Sequence, residues 1–146
     1  MQIYDILPDL SKIKALPGSN RSLLLSSGRP VLVIFWSVSC SSCSNFLKQL
    51  AEVPEIKSKR VVPILIHIYL DREQVSLSEI KNKLNQLHFD AVSLDDIDDR
   101  LAAVFQFRYV PALYLFDKQE RLRFKQSGKS STNLIEQRLK RLLNEK

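Results

Sequence analysis

Cysteine is scarce in this chain: two in 146 residues, three positions apart at Cys40 and Cys43. That is too few for a disulfide-stapled secreted scaffold, and a chain of this length can bury a core that holds without staples. Histidine is equally scarce. His67 and His88 stand alone, with neither the ligand spacing nor the further thiols of a zinc site, so each is expected to be structural or exposed. No apolar run approaches the ~18 residues of a membrane-spanning helix; the longest, near Val31 and Val61, are strand length. Residues 1–5 contain neither a basic nor an apolar signal region, so no signal peptide opens the sequence; a mature secreted protein without its leader would read the same way. Internal repeats, low-complexity tracts and linkers are also missing. The expectation is one domain over 1–146, with 1–29 as an N-terminal extension packed on it.

What is present suits a folded α/β protein. Hydrophobic residues make up 45% and charged residues 26%. The net charge of +6 is local: residues 1–120 balance 14 basic against 14 acidic groups, while residues 121–146 carry 8 basic and 2 acidic. A solvated basic face accounts for that excess, and no nucleic-acid partner is expected.

Residues 31–36 are apolar without alternation, as in a strand buried on both faces. Small polar residues and the two cysteines follow, and then Phe46, Leu47, Leu50 and Val53 recur at helical spacing, with an end expected before Pro54. A second strand is expected over 61–69, with Pro63 near its start or at an edge. Ser76 or Ser78 should cap a helix carrying Leu77, Ile80, Leu84 and Leu87. Asp95 to Asp99 supply a cap for a short helix over 100–107. Residues 112–116 read as a strand, residues 117–120 as a hairpin turn, and residues 121–125 as an alternating partner. A final helix should begin at Thr132 or Asn133 and turn Leu134, Ile135, Leu139, Leu142 and Leu143 inward. Residues 4–16 form a possible amphipathic segment broken by Pro8, and 21–26 a short helix or turn. The order implies a mixed central sheet flanked by helices, ending in a C-terminal β-hairpin and helix.

At the first turn of a helix, Cys40 and Cys43 share one face within disulfide reach. The helix N-terminus would stabilise a Cys40 thiolate, and Cys43, one turn deeper, could resolve a mixed disulfide. Dithiol–disulfide exchange is the reading that uses all of these features. A structural disulfide, two thiolates on Cu(I), or a non-catalytic partner-binding module remain open from the residues alone.

The segment from Phe35 to Cys43 resembles the F-W-x-x-W/S-C-x-x-C signature of the thioredoxin superfamily, and with residues 30–33 it is most similar to the TlpA/ResA-like branch. The resemblance extends over nearly the whole chain, through Val110-Pro111, the strand ending at Asp117, and Gly128. It implies a thioredoxin-like fold, redox-active catalytic residues Cys40 (attacking) and Cys43 (resolving), and a role in cell redox homeostasis. It implies a cis bond before Pro111, where the residues alone allow equally a trans proline opening a strand. Trp36, Val110 and Pro111 then become substrate-binding residues. Protein substrates with cysteines or disulfides are the implied partners, together with a membrane redox partner, for a monomer without cofactor or bound metal. The implied location is periplasmic or otherwise extracytoplasmic, with cytoplasmic as the alternative. Departures are Ile34, where many members carry a buried Asp, Ser39 in place of a second Trp, Ser41-Ser42 in place of Gly-Pro, and Ala112 where Thr is common.

Overall fold

A run of backbone buried among apolar side chains meets its hydrogen bonds most completely in a ladder or a helix, and the apolar run at residues 31–36 does so by taking the centre of a sheet. In chain order, the computed structural model contains β1 (Lys14–Ala15), β2 (Val31–Trp36), α1 (Ser41–Ala51), α2 (Pro54–Lys57), β3 (Val62–His67), α3 (Leu77–Leu87), β4 (Val92–Asp95), α4 (Arg100–Phe105), β5 (Ala112–Phe116), β6 (Leu122–Ser127) and α5 (Thr132–Leu143). Short 3-10 turns occupy Arg21–Leu25 and Leu70–Arg72. The structure describes residues 1–25, 28–72, 74–128 and 132–145. Ser26, the last residue of the short helix or turn expected over 21–26, lies outside these ranges.

The six strands run in the order β1-β4-β3-β2-β5-β6. β2, β3 and β4 are mutually parallel, whereas β5 is antiparallel to β2, β6 to β5, and β1 to β4. This is the mixed sheet with an antiparallel end that the sequence implies. Strand alternation divides the core into two layers. Leu32, Ile34 and Trp36 face Cys43, Phe46, Leu47 and Leu50 of α1, with Ile80 of α3 and Ile135, Leu139 and Leu142 of α5. Val33 and Phe35 face the other way, towards Leu101 and Phe105 of α4 and Leu10 and Leu23 of the N-terminal segment. Each such side chain contributes about 1.5–3 kcal/mol by leaving water, so β2 is the strand on which both layers depend.

Several expectations hold. α1 stops before Pro54, Pro63 is the second residue of β3, and the Ser76 hydroxyl accepts the Glu79 N–H at 3.2 Å as the cap of α3. Others change. Residues 4–16 form no helix. Their backbone lies along β6, with Tyr4 N–H donating to Leu122 O at 2.7 Å and Leu7 N–H to Glu120 O at 2.8 Å, and β1 then pairs with β4 at the opposite edge. Unpaired edge groups outcompete a helix broken by Pro8, so the N-terminal extension covers both sheet edges. After Pro54 the chain does not simply return: Pro54 opens α2, which buries Glu55 and Ile56. The acidic run caps α4 through Asp96, whose carboxylate accepts from Leu101 N–H at 3.0 Å and Ala102 N–H at 2.9 Å, while Asp99 makes no side-chain cap. In α5, Leu134 is exposed, because the buried stripe is Ile135, Leu139 and Leu142. Among the described residues no helix is long and apolar enough to cross a membrane.

Candidate active site

The central strand delivers its last residue, Trp36, to the carboxyl edge of the parallel strands, and the chain then turns into α1. Ser37 organises this turn. Its carbonyl accepts the Cys40 N–H at 3.1 Å and its hydroxyl accepts the Ser39 N–H at 3.2 Å. Cys40 is the N-cap of α1, extended at φ −92° and ψ 103°. Its Sγ accepts the Cys43 N–H at 3.2 Å, one of the donors that a helix start leaves without an internal partner. The Ser42 hydroxyl stands 3.4 Å from the same sulfur. Both groups stabilise negative charge there when the thiol is free, and the helix dipole adds in the same sense.

Cys40 and Cys43 are joined in a disulfide, with their Cα atoms 5.3 Å apart. The two sulfurs are not equivalent. Cys43 is fully buried against the α1 side of the core, whereas Cys40 is partly exposed between the exposed residues Ser39 and Ser41. An incoming thiolate therefore reaches Cys40 first. Opposite it, the Val110 carbonyl oxygen lies 3.8 Å from Cys40 Sγ. The oxidised sulfur carries no hydrogen, so this is a close approach rather than a hydrogen bond. The Val110–Pro111 peptide is cis. Pro111 is buried and its carbonyl accepts the Gly128 N–H at 2.8 Å, which ties the loop to the end of β6.

The structure thus brings Cys40, Cys43, Val110 and Pro111 together. Trp36 differs from the substrate-contacting role that the resemblance implies. It is 0% exposed, packed in the core layer of α1, because an indole at the end of a central strand has core on every side. Ile34 is also fully buried, paired with Leu65 on one side and Leu113 on the other, so no acid lies at that point of the strand.

A polar network that the sequence did not reveal lies beside Trp36. His67 and Asp95 are in register with Trp36 on β3 and β4, and both side chains are completely buried. His67 Nε2 accepts the Val38 N–H at 3.2 Å, His67 Nδ1 faces Asp95 Oδ1 at 3.4 Å, and Tyr69 O–H donates to Asp95 Oδ2 at 2.8 Å. Burial, followed by the hydrogen bond to Asp95 and its charge, holds the Tyr69 phenol protonated far into the alkaline range. The only available signal was the polar residue closing each of two apolar strands. His88, by contrast, is an exposed left-handed cap at the end of α3.

A model of the thioredoxin-like domain matches residues 21–143. The chain belongs to the thioredoxin-like family. Over 146 residues this family member is 30% identical to the thiol-disulfide oxidoreductase YkuV of Bacillus subtilis, covering 99% of each chain. It is also similar to a thioredoxin-like protein solved in its oxidised form, with TM-score 0.83, 28% identity, and coverage of 98% of this chain and 97% of the other. A thiol-disulfide isomerase from Corynebacterium glutamicum shares the fold at TM-score 0.75 and 19% identity, over 100% of this chain and 96% of the other.

Proposed function

We propose that this thioredoxin-like protein is a thiol-disulfide oxidoreductase that exchanges disulfides with protein cysteines through Cys40 and Cys43. The observation that carries the reading is the asymmetry of the Cys40–Cys43 disulfide: one sulfur is accessible at a helix N-terminus beside Val110, and the other is sealed in the core.

In the reduced enzyme, the Cys40 thiolate attacks one sulfur of a substrate disulfide. A Cys40–substrate bond forms, the substrate bond breaks, and one substrate thiolate leaves and takes up a proton. Cys43 then loses its proton and attacks Cys40 Sγ, closing the enzyme disulfide and releasing the second substrate thiolate. Two electrons pass from enzyme to substrate. The reverse sequence begins from the disulfide seen here and oxidises a substrate dithiol. Val110 supports substrate alignment, since its carbonyl stands beside the reacting sulfur. On the same terms residues 1–146 act as one domain, supported by the pairing of the N-terminal segment with both edges of the sheet.

Replacing Cys43 by Ser should leave a nucleophile with nothing to resolve it, so mixed disulfides through Cys40 accumulate with a protein substrate. Replacing Cys40 by Ser should trap none. Wild-type exchange no faster than a small thiol would overturn the assignment.

A further inference from the structure

We propose that His67 is a positioning residue for disulfide exchange. On this account it holds the loop presenting Cys40 by accepting the Val38 N–H, and it is itself held by Asp95 and Tyr69. This inference rests on the oxidoreductase reading and adds a residue to its machinery.

Burying an imidazole and a carboxylate is unfavourable unless their polar atoms are met, and apolar side chains would fill the same register without that cost. Here both are completely enclosed, His67 Nδ1 and Asp95 Oδ1 stand 3.4 Å apart without an aligned hydrogen bond, and one polar contact leads out of the pair to the backbone. That contact goes to Val38, two residues before Cys40, in the segment joining β2 to α1. An amide can only donate, so His67 Nε2 must carry a lone pair and the ring proton sits on Nδ1, facing Asp95. Tyr69 fixes the carboxylate from the other side. The ring plane is fixed as well, by Trp36 at 5.0 Å and Tyr69 at 4.8 Å, both edge-on. Every contact of His67 restricts its motion, and its remaining acceptor holds the loop.

The chemistry makes use of such a hold. During exchange, Cys40 changes partners between Cys43 and a substrate sulfur, and each displacement needs the sulfurs aligned. In the segment before Cys40, the Ser37 carbonyl and hydroxyl hold Cys40 and Ser39, and His67 holds Val38. With the acceptor removed, the Val38 N–H must turn towards water and carry the loop with it.

The test compares His67→Leu, which removes the acceptor, with His67→Gln, which can return a carbonyl oxygen near the place of Nε2. Three readouts are exchange with a protein disulfide, the equilibrium of the Cys40–Cys43 pair with glutathione, and hydrogen exchange of the Val38 amide. In folded His67→Leu, disulfide exchange should fall about tenfold, in keeping with a partly buried donor left unmet. The glutathione equilibrium should shift and the Val38 amide should lose protection. His67→Gln should recover exchange to within about threefold of wild type. Wild-type rates in His67→Leu, or equal losses in both variants, would overturn the proposal, the second outcome assigning the effect to ring shape. Should His67→Leu fail to fold, Asp95→Asn replaces it: a slower reaction with a less protected Val38 amide supports the proposal, and unchanged values overturn it. The amide measurement needs no substrate, so it decides the role of His67 even where wild type fails to exchange and the oxidoreductase reading falls.

Discussion

Two rows of residues cross the same three parallel strands and are built from opposite materials. Val33, Ile64 and Val92 form one row, in register on β2, β3 and β4 and wholly apolar. Trp36, His67 and Asp95 form the other, at the carboxyl ends of the same strands. The first row is held by packing, which has no direction and tolerates any side chain of the right volume. The second is held by hydrogen bonds and ring contacts, which fix particular atoms. Directional contacts occur where a loop must present one sulfur, and non-directional ones where the strands need only stay together. The disulfide repeats the contrast within three residues: Cys43 belongs to the packed core and Cys40 to the directed edge.

The strongest challenge to this division is a cavity in the apolar row. Ile64→Ala, at a site 1% exposed, should lower stability by about 2–5 kcal/mol, measured by denaturant unfolding. The exchange rate of the molecules that remain folded should not change. A parallel fall in that rate would dissolve the distinction between the rows.

Alkali sharpens the comparison at smaller amplitude. Burial pushes the Tyr114 phenol from 10.0 up to about 12, whereas the shift of Tyr69 draws on burial and also on Asp95. A folded-state value above the unfolded one means that the stability contribution is complete below pH 10.0 and is lost as pH rises towards about 12. Two pKa units correspond to roughly 2–3 kcal/mol. Tyr114→Phe should flatten the alkaline loss of stability. Asp95→Asn should bring the Tyr69 titration down and leave that of Tyr114 in place, as followed by phenolate absorbance.

The smallest effect is expected at the far end of the sheet. Arg123 bridges Asp117 at 3.2 Å and Glu145 at 2.6 Å, tying β6 to the end of α5. The Arg123 hydrogen bond holds the Glu145 carboxyl below its usual 4.5. The sign is that of a depressed acid: its stabilisation is present above pH 4.5 and disappears as pH falls through the lowered value. Glu145→Gln should cost a small shift in Tm at neutral pH and none in acid, with disulfide exchange unchanged.

Most of the fold was legible because it rests on periodicity. The stripe along α3, the hairpin and the α5 face repeat at the spacing of the element they form, and the unbroken apolar run before Cys40 marks a strand buried on both faces. Residues 4–16 misled, since their apolar spacing is compatible with a helix and only the distant edge of β6 supplies the competing partners. Trp36 was legible as the last residue of a strand buried on both faces, and its substrate-contacting role came only from the resemblance. Its depth depends on helices packed from far along the chain.

The amino-acid sequence by itself determined the pair of thiols at the start of a helix after a central strand, because those features are local and one element long. Tertiary structure alone decided how closely Val110 meets the outward sulfur, and that His67 and Asp95 become neighbours. His67 and Asp95 lie 28 positions apart, and their pairing exists only once β3 and β4 align in register. Local spacing can place a reactive group, but the surroundings that direct it come from strands that meet only in the folded sheet.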